Sequence, residues 1–265
     1  MVHGILHNLK VFVTLMSINL KITLTYRVSL LISLILNFFW VISYVIFMEV
    51  IFRNVPTLGG MTKGETLLIM AFFYFFTNIS DIFYRDSFEQ FSDKMRTGYI
   101  DTWLTKPASS RMLMFLSNMR FDYLTAIGVS AALFSYAYSH LEAAPNYTLF
   151  CIGILLTFAS HIIFFSILSI IATFTFWLQK NDALNIAAWH MTQVARYPRS
   201  IYTSFAKIAF TYMFPLALIA NLPAEVSLNK ATPNMLIFFA IITTTIYIVS
   251  LSFWKWGLKR YTSAG

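Results

Sequence analysis

The stretch VSLLISLILNFFWVISYVIFMEVIF, residues 28–52, decides the fold class, because Glu49 is its one ionisable side chain in 25 residues. About 20 apolar residues, rising 1.5 Å each, cross the roughly 30 Å hydrocarbon core of a bilayer. In lipid every backbone N–H and C=O must find a partner within the protein, which a helix provides by itself. Five more segments of this kind follow, near 66–84, 112–138, 147–178, 201–221 and 235–256. The chain is 58% hydrophobic and 11% charged, where a soluble domain carries about 25% charged residues. A single soluble core stops growing at roughly 250–300 residues, so the surplus apolar surface of these 265 residues faces lipid. The expectation is an all-α polytopic membrane protein, one transmembrane domain over 1–265, with six transmembrane helices.

Basic residues punctuate the ends of the apolar runs. One set holds Lys10, Lys21, Arg27, Arg85, Lys94, Arg96, Lys106, Arg111, Lys180, Arg196, Arg199, Lys255, Lys259 and Arg260; the opposite set holds Arg53, Lys63 and Lys230. The bias places both termini in the cytoplasm and calls for an even number of crossings. Trp177, Trp254 and Trp256 mark the same boundary. The net charge of +8 is therefore a membrane pattern and not a nucleic-acid footprint. Residues 1–27 lack a small-residue cleavage site. Leu9, Val13, Met16, Leu20 and Leu24 recur at helical spacing, which predicts an amphipathic helix lying in the interface. The turn at 53–63 holds Pro56 and Gly59-Gly60, and another outer turn holds Pro145; Asn146-Tyr147-Thr148 is a sequon of little specificity. Cys151, the one cysteine, permits no internal disulfide and gives no metal spacing; it reads as a buried, inert thiol.

The connection 85–111 is the most informative polar segment. Phe88, Phe91 and Met95 fall on one helical face, with Glu89, Asp93, Lys94 and Arg96 elsewhere. Gly98 is a natural helix stop, and Pro107 breaks the chain before the third span. One reading is an interfacial helix that seals the bundle. The other is a docking helix whose aromatic side chains enter a groove on a soluble partner. The segment 179–199, with Leu184, Ala188, Met191 and Ala195 on one face, reads as an interfacial connector.

Inside the spans, ionisable residues default to functional hypotheses. Arg120 and Asp122 read foremost as a local pair or as snorkelling groups. Asp81 and Arg85 have the spacing and order of an i,i+4 ion pair. His161, near the middle of the fourth span, reads first as a helix–helix hydrogen bond and second as a proton or cavity site. Pro215 removes a backbone bond inside the fifth span, so it is either a hinge or static shape.

Residues 96–107, RTGYIDTWLTKP, resemble the cytoplasmic motif of ABC-2 type transporter permeases. Further stretches are similar to that family in the same order: Arg196-Tyr197-Pro198 with Ile201-Tyr202, Phe214-Pro215-Leu216 leading to Leu222-Pro223-Ala224-Glu225, and Arg260-Tyr261-Thr262-Ser263-Ala264. The resemblance implies the membrane subunit of a bacterial ABC exporter in the inner membrane. It implies a coupling helix between spans two and three, a second permease subunit (identical or a paralogue), and a separate ATP-binding subunit that carries ATP and Mg. The residues it assigns to ATPase docking are Phe88, Glu89, Phe91, Met95, Arg96, Gly98, Asp101, Lys106 and Pro107. The chain has no Gly-rich phosphate loop ending in Lys-Ser or Lys-Thr and no carboxylate pair or nucleophile–base arrangement, so no catalytic residue or cofactor is assigned to it. An amphiphilic cargo suits its 18% aromatic content. The alternatives are an ion-coupled secondary transporter using His161 or Asp122, and a non-transporting membrane scaffold.

Overall fold

The structure is a computed structural model that describes residues 2–142, 146–178 and 181–261. The expectations that involve Pro145, Lys180 and the stretch 262–264 lie outside the described residues. The chain begins with α1 (Val2–Thr25) and α2 (Arg27–Asn54), followed by α3 (Lys63–Phe83). A short-helix elbow comes next: α4 (Arg85–Glu89), α5 (Phe91–Arg96) and α6 (Asp101–Leu104). Then come α7 (Ser110–Phe115), α8 (Leu124–Ser139), α9 (Tyr147–Thr173) with its extension α10 (Thr175–Leu178), and α11 (Asp182–Met191). The chain continues through α12 (Ser204–Ile208), α13 (Leu218–Ser227) and α14 (Pro233–Leu258).

Local chemistry starts these helices. The backbone N–H of Thr62 donates to the Glu65 carboxylate at 3.2 Å, one half of a capping box at the head of α3. The Asn146 side-chain oxygen accepts from the N–H groups of Thr148 and Leu149, which caps α9; the sequon asparagine is thus a helix cap. Pro233 occupies the first turn of α14, where its missing N–H costs nothing.

Among the described residues four helices are long and apolar enough to cross a membrane: Arg27–Asn54, Lys63–Phe83, Tyr147–Leu178 and Pro233–Leu258. They run between two ends of the bundle. At the elbow end, the Arg120 N–H donates to the Ile82 carbonyl and Gly257 packs on Thr173 and Phe176. At the far end, Lys63 pairs with Glu49, Tyr136 donates to Glu49 at 2.7 Å, and Lys230 pairs with Glu65 at 2.6 Å.

Three expectations about the spans need correction. The segment 112–138 is not one helix. It breaks between α7 and α8 at Ser117-Asn118-Met119-Arg120, where Asn19 donates to the Ser117 carbonyl at 2.9 Å and the Asn118 N–H donates to Ser87 Oγ at 3.1 Å. These polar groups bond across the bundle instead of continuing the ladder. The segment 201–221 is not one continuous helix either. Residues Ser204–Met213 and Leu218–Ser227 are bent by 90° about the break that holds Pro215, and a widened π turn covers Ala209–Met213. Finally, 179–199 is no surface connector. Its start is held at the elbow end, where Asn185 donates to the Phe88 carbonyl. Its continuation reaches the far end, where Ser200 Oγ donates to the Gly59 carbonyl. Asn185, Ala188, Trp189, Thr192, Ala195 and Arg196 are buried along the way. These polar side chains face protein, so the stretch need not be uniformly apolar and hydropathy passes over it, although Leu184, Ile186 and Met191 on its other side are exposed. Arg199 accordingly lies with Lys63 and Lys230 and leaves the basic set.

Two smaller corrections concern side chains. Cys151 is exposed on α9, not buried. Along α1, Leu9, Val13, Leu20 and Leu24 point away from the bundle, but Met16 packs with Phe12 and Leu15 against Ile82, Met119 and Phe121.

Helices in lipid associate through close packing and interhelical hydrogen bonds, since lipid tails are as apolar as the side chains. Asn78 donates to the Ala126 carbonyl at 3.0 Å and to Ser130 Oγ at 2.8 Å, which binds α3 to α8. Ser160 donates to the Ile219 carbonyl at 3.1 Å, which binds α9 to α13. Gly153 permits that second approach: a Cβ there would sit 2.8 Å from the Pro223 carbonyl and 2.9 Å from the Phe72 ring. Gly153→Leu should therefore destabilise the bundle by about 1–3 kcal/mol, read as a lower melting temperature in detergent. Gly128→Ala, whose added methyl meets nothing within 4 Å, should leave melting unchanged or raise it slightly.

Candidate functional site

The elbow between α3 and α7 has an inward and an outward face. Inward, Phe88 and Phe91 are each 0% exposed. Phe88 stacks on Phe115 with centroids 4.2 Å apart. Phe91 meets Phe115, Phe176 and Trp254. Met95, Ile100 and Trp103 are also buried. The expectation that Phe88, Phe91 and Met95 reach a partner is therefore corrected: the apolar face of this helix is satisfied by the chain's own bundle. Outward stand Glu89, Asp93, Arg96, Thr97, Lys106 and Pro107, together with two apolar side chains, Tyr99 at 51% and Leu104 at 39% exposure. Gly98, with φ +68°, makes the reversal between α5 and α6 that presents Tyr99. Only glycine takes that conformation without steric cost.

The outward face is held rigidly. Gln90 donates to Asp86 at 2.7 Å and accepts from Asn118 at 2.8 Å. Burial pushes the Asp86 carboxyl above its ordinary range. Lys94 lies over the Trp103 ring at 5.1 Å, and burial lowers its ammonium. Arg96 pairs with Asp93 at 3.2 Å. Asp101 lies beside Tyr261; burial first, and then this carboxylate, pushes the Tyr261 hydroxyl up to about 12. Two of the motif stretches, 96–107 and that beginning at Arg260, thus meet in space.

The elbow is also tied to α11. Ser92 donates to the Asn181 side-chain oxygen at 2.6 Å, and Asn185 bonds the Phe88 carbonyl at 3.2 Å. Arg85, which pairs with Asp81 at 3.0 Å and Glu89 at 2.8 Å, lies over the Trp189 ring at 4.7 Å. At the other end of this segment α13 grips it. Asn221 donates to the carbonyls of Ala195 and Tyr197, both at 3.1 Å, and accepts the Arg199 N–H at 2.8 Å. One turn later Glu225 takes the Arg199 guanidinium in a two-pronged pair at 2.7 and 3.0 Å. Polar contacts therefore hold this segment at both ends, to the elbow through Asn181, Asn185 and Trp189 and to α13 through residues 195–199.

The remaining polar candidates are dispersed. Arg120 pairs with Asp122 at 2.7 Å in the break before α8, and Ser33 donates to the same carboxylate at 3.0 Å. His161 is stacked on Phe76, its Nδ1 2.9 Å from the Tyr84 hydroxyl. Arg111 is buried, with Ser169 and Ser250 hydroxyls accepting from it at 3.1 and 2.8 Å. Pro215 lines an apolar cavity of about 410 Å³ between α9, α11 and α14, with Ile170, Leu184, Met213 and Ile246. Among the described residues no group of three His, Cys, Asp or Glu could hold a metal ion. Sequence reasoning gave no site role to Tyr99, Leu104, Asn181, Asn185, Asn221 or Glu225, although Tyr99, Leu104 and Glu225 lie in the motif stretches. The four-residue spacing of Asn221 and Glu225 in an apolar run was the available signal for the last two.

The pattern described as ABC-2 family transporter protein matches residues 38–265. The chain belongs to the ABC-2 transporter family. No curated protein and no solved structure matches it. As an ABC-2 permease it is a multi-pass membrane protein with a transport role, a non-catalytic subunit of a kind that pairs with an ATP-binding cassette subunit. In this permease the elbow combines a fixed backbone reversal, exposed apolar side chains and charges of both signs.

Proposed function

We propose that the chain is the permease of an ATP-driven exporter in a bacterial inner membrane, working as a pair of permeases with two ATPase subunits docked on their elbows. The observation that carries this reading is the match to the ABC-2 family over residues 38–265. The ATPase meets the outward face: Tyr99 and Leu104 supply apolar contact, while Glu89, Arg96 and Lys106 orient the partner. Gly98 and Pro107 shape the reversal, and Asp101 fixes it to the C-terminal end. Phe88, Phe91 and Met95 act one step behind, carrying motion of the elbow into the bundle through Phe115 and Trp254. Asn181, Asn185 and the Arg85 contact with Trp189 carry the same motion into α11. Asn221 and Glu225 pass it to α13, and Pro215 is the hinge between the two limbs of the bent segment.

This reading counts six crossings: α2, α3, the broken α7–α8 unit, α9 with α10, the segment 182–201, and α14. The bent limbs 204–227 dip in from the far end and return. Both termini and the elbow are cytoplasmic, and α1 lies along the inner interface. In a Cys151→Ser background, Ser200→Cys should react with a membrane-impermeant maleimide in intact cells, while Lys106→Cys should react only after permeabilisation. Labelling of position 106 from outside would reverse the topology.

The functional test is reconstitution in vesicles with the ATPase subunit. A stable complex, ATP-dependent cargo efflux and cargo-stimulated hydrolysis are expected. Efflux that persists without ATP and collapses with an uncoupler would replace this reading with ion coupling.

A further inference from the structure

Arg196 is a buried cation that the transport scheme leaves unused. It is 9% exposed, and its guanidinium lies 3.9 Å from the centroid of Tyr44 and 5.2 Å from that of Phe73. Tyr74 stands against Tyr44 at 5.8 Å, and both Tyr74 and Tyr202 lie within electrostatic reach of the guanidinium. Tyr44 and Phe73 are each ten residues, about 15 Å, from the far ends of α2 and α3. The charge therefore sits near mid-depth of a bilayer.

The bundle shows how it satisfies its other inward-facing arginines. Arg111 has two serine hydroxyls, and Arg199 has a two-pronged carboxylate. Arg196 has neither. Its Nε is buried without a hydrogen-bond partner, and among the described residues no acidic side chain pairs with it. Aromatic faces stabilise a guanidinium from above and below, which leaves its in-plane donors for a group with two acceptor oxygens. Beside this cradle α2 shows an exposed apolar surface of Phe39, Trp40, Ile46 and Phe47.

We propose that Arg196, set in the Tyr44, Phe73 and Tyr74 cradle, binds the phosphate-like head group of an anionic amphiphile whose tail lies along α2. This names a cargo class and rests on the transport reading only for the passage itself. Binding to the full-length chain needs no ATPase, so its failure would leave the transport reading standing, and loss of ATPase association would leave the binding untouched.

The test uses the purified chain in a neutral detergent, titrated with fluorescent dioctanoyl phosphatidic acid and with dioctanoylglycerol carrying the same label. Saturable binding of the phosphatidic acid, tighter than the glycerolipid by roughly tenfold or more, is expected. Arg196→Gln should remove that difference, Arg196→Lys should keep part of it, and Arg53→Gln, an exposed cation at the far end of α2, should keep all of it. The comparison of the two lipids on the unmodified protein needs no variant to fold. Equal affinity for the two lipids, as when a carboxylate from a second copy neutralises the site, overturns the proposal. So does displacement of the phosphatidic acid by millimolar inorganic phosphate, which would make this a site for a hydrated anion.

Discussion

Tyr99→Asp together with Leu104→Asp should uncouple the permease from its ATPase while the bundle stays folded. Both side chains are exposed, and the Tyr99 ring meets the core edge-to-face at Trp103, so charge placed there meets water in the free chain and apolar partner surface in the complex. Truncating an interface hot spot costs about 2 kcal/mol or more, close to 30-fold in affinity, and burying two carboxylates adds to it. Co-purification and stimulated hydrolysis should fall by more than tenfold, with melting unchanged within about 0.5 kcal/mol. Phe88→Asp should behave in the opposite way. Its ring is stacked on Phe115 in the interior, and removing a buried Phe alone costs about 3–5 kcal/mol, before the charge is counted. That variant should lose monodispersity in detergent before any question of docking arises. Normal coupling in the Tyr99 and Leu104 variant would move the ATPase contact elsewhere; a folded Phe88→Asp protein would overturn the inward assignment.

The contrast shows what a helical pattern carries. Periodicity at 88, 91 and 95 reveals that the elbow has an apolar side, but not what covers it. A partner's groove and the chain's own Phe115 and Trp254 satisfy the same pattern. The long spans were legible because lipid selects directly on side-chain composition: α2 and α14 present most of their surface outward, and hydropathy finds them. The segment 182–201 was not, because its inward side carries Asn185, Thr192 and Arg196 against protein, which breaks the apolar run that hydropathy seeks. The bend at Pro215 was half legible. A missing N–H predicts a kink, but a 90° reversal depends on Ser160 and Gly153 drawing α13 against α9, contacts between residues some 60–70 positions apart in the chain. Local pairs fared best: the spacing of Asp81 and Arg85 suffices to predict their ion pair, since helix geometry alone brings them together.

Glu225→Ala should be among the most damaging single substitutions at the far end. The carboxylate takes both prongs of Arg199, with side-chain exposures of 6% and 20% for the two partners. Removing it leaves a guanidinium in a half-buried site with no compensating charge, a loss of about 3–5 kcal/mol. The expected readout is a fall in melting temperature on the order of 10 °C in detergent. The grip of α13 on the segment 195–199 would then rest on Asn221 alone. Arg199→Met with Glu225→Leu removes both charges and keeps similar volume, so it should recover stability to within about 1 kcal/mol of the parent. Transport separates the two roles of the pair. A pair that only stabilises the bundle predicts that the double variant transports normally. A pair that carries elbow motion to α13 predicts a stable protein whose ATPase still docks and turns over but whose efflux per ATP declines, because an apolar contact slides where a two-pronged bond does not.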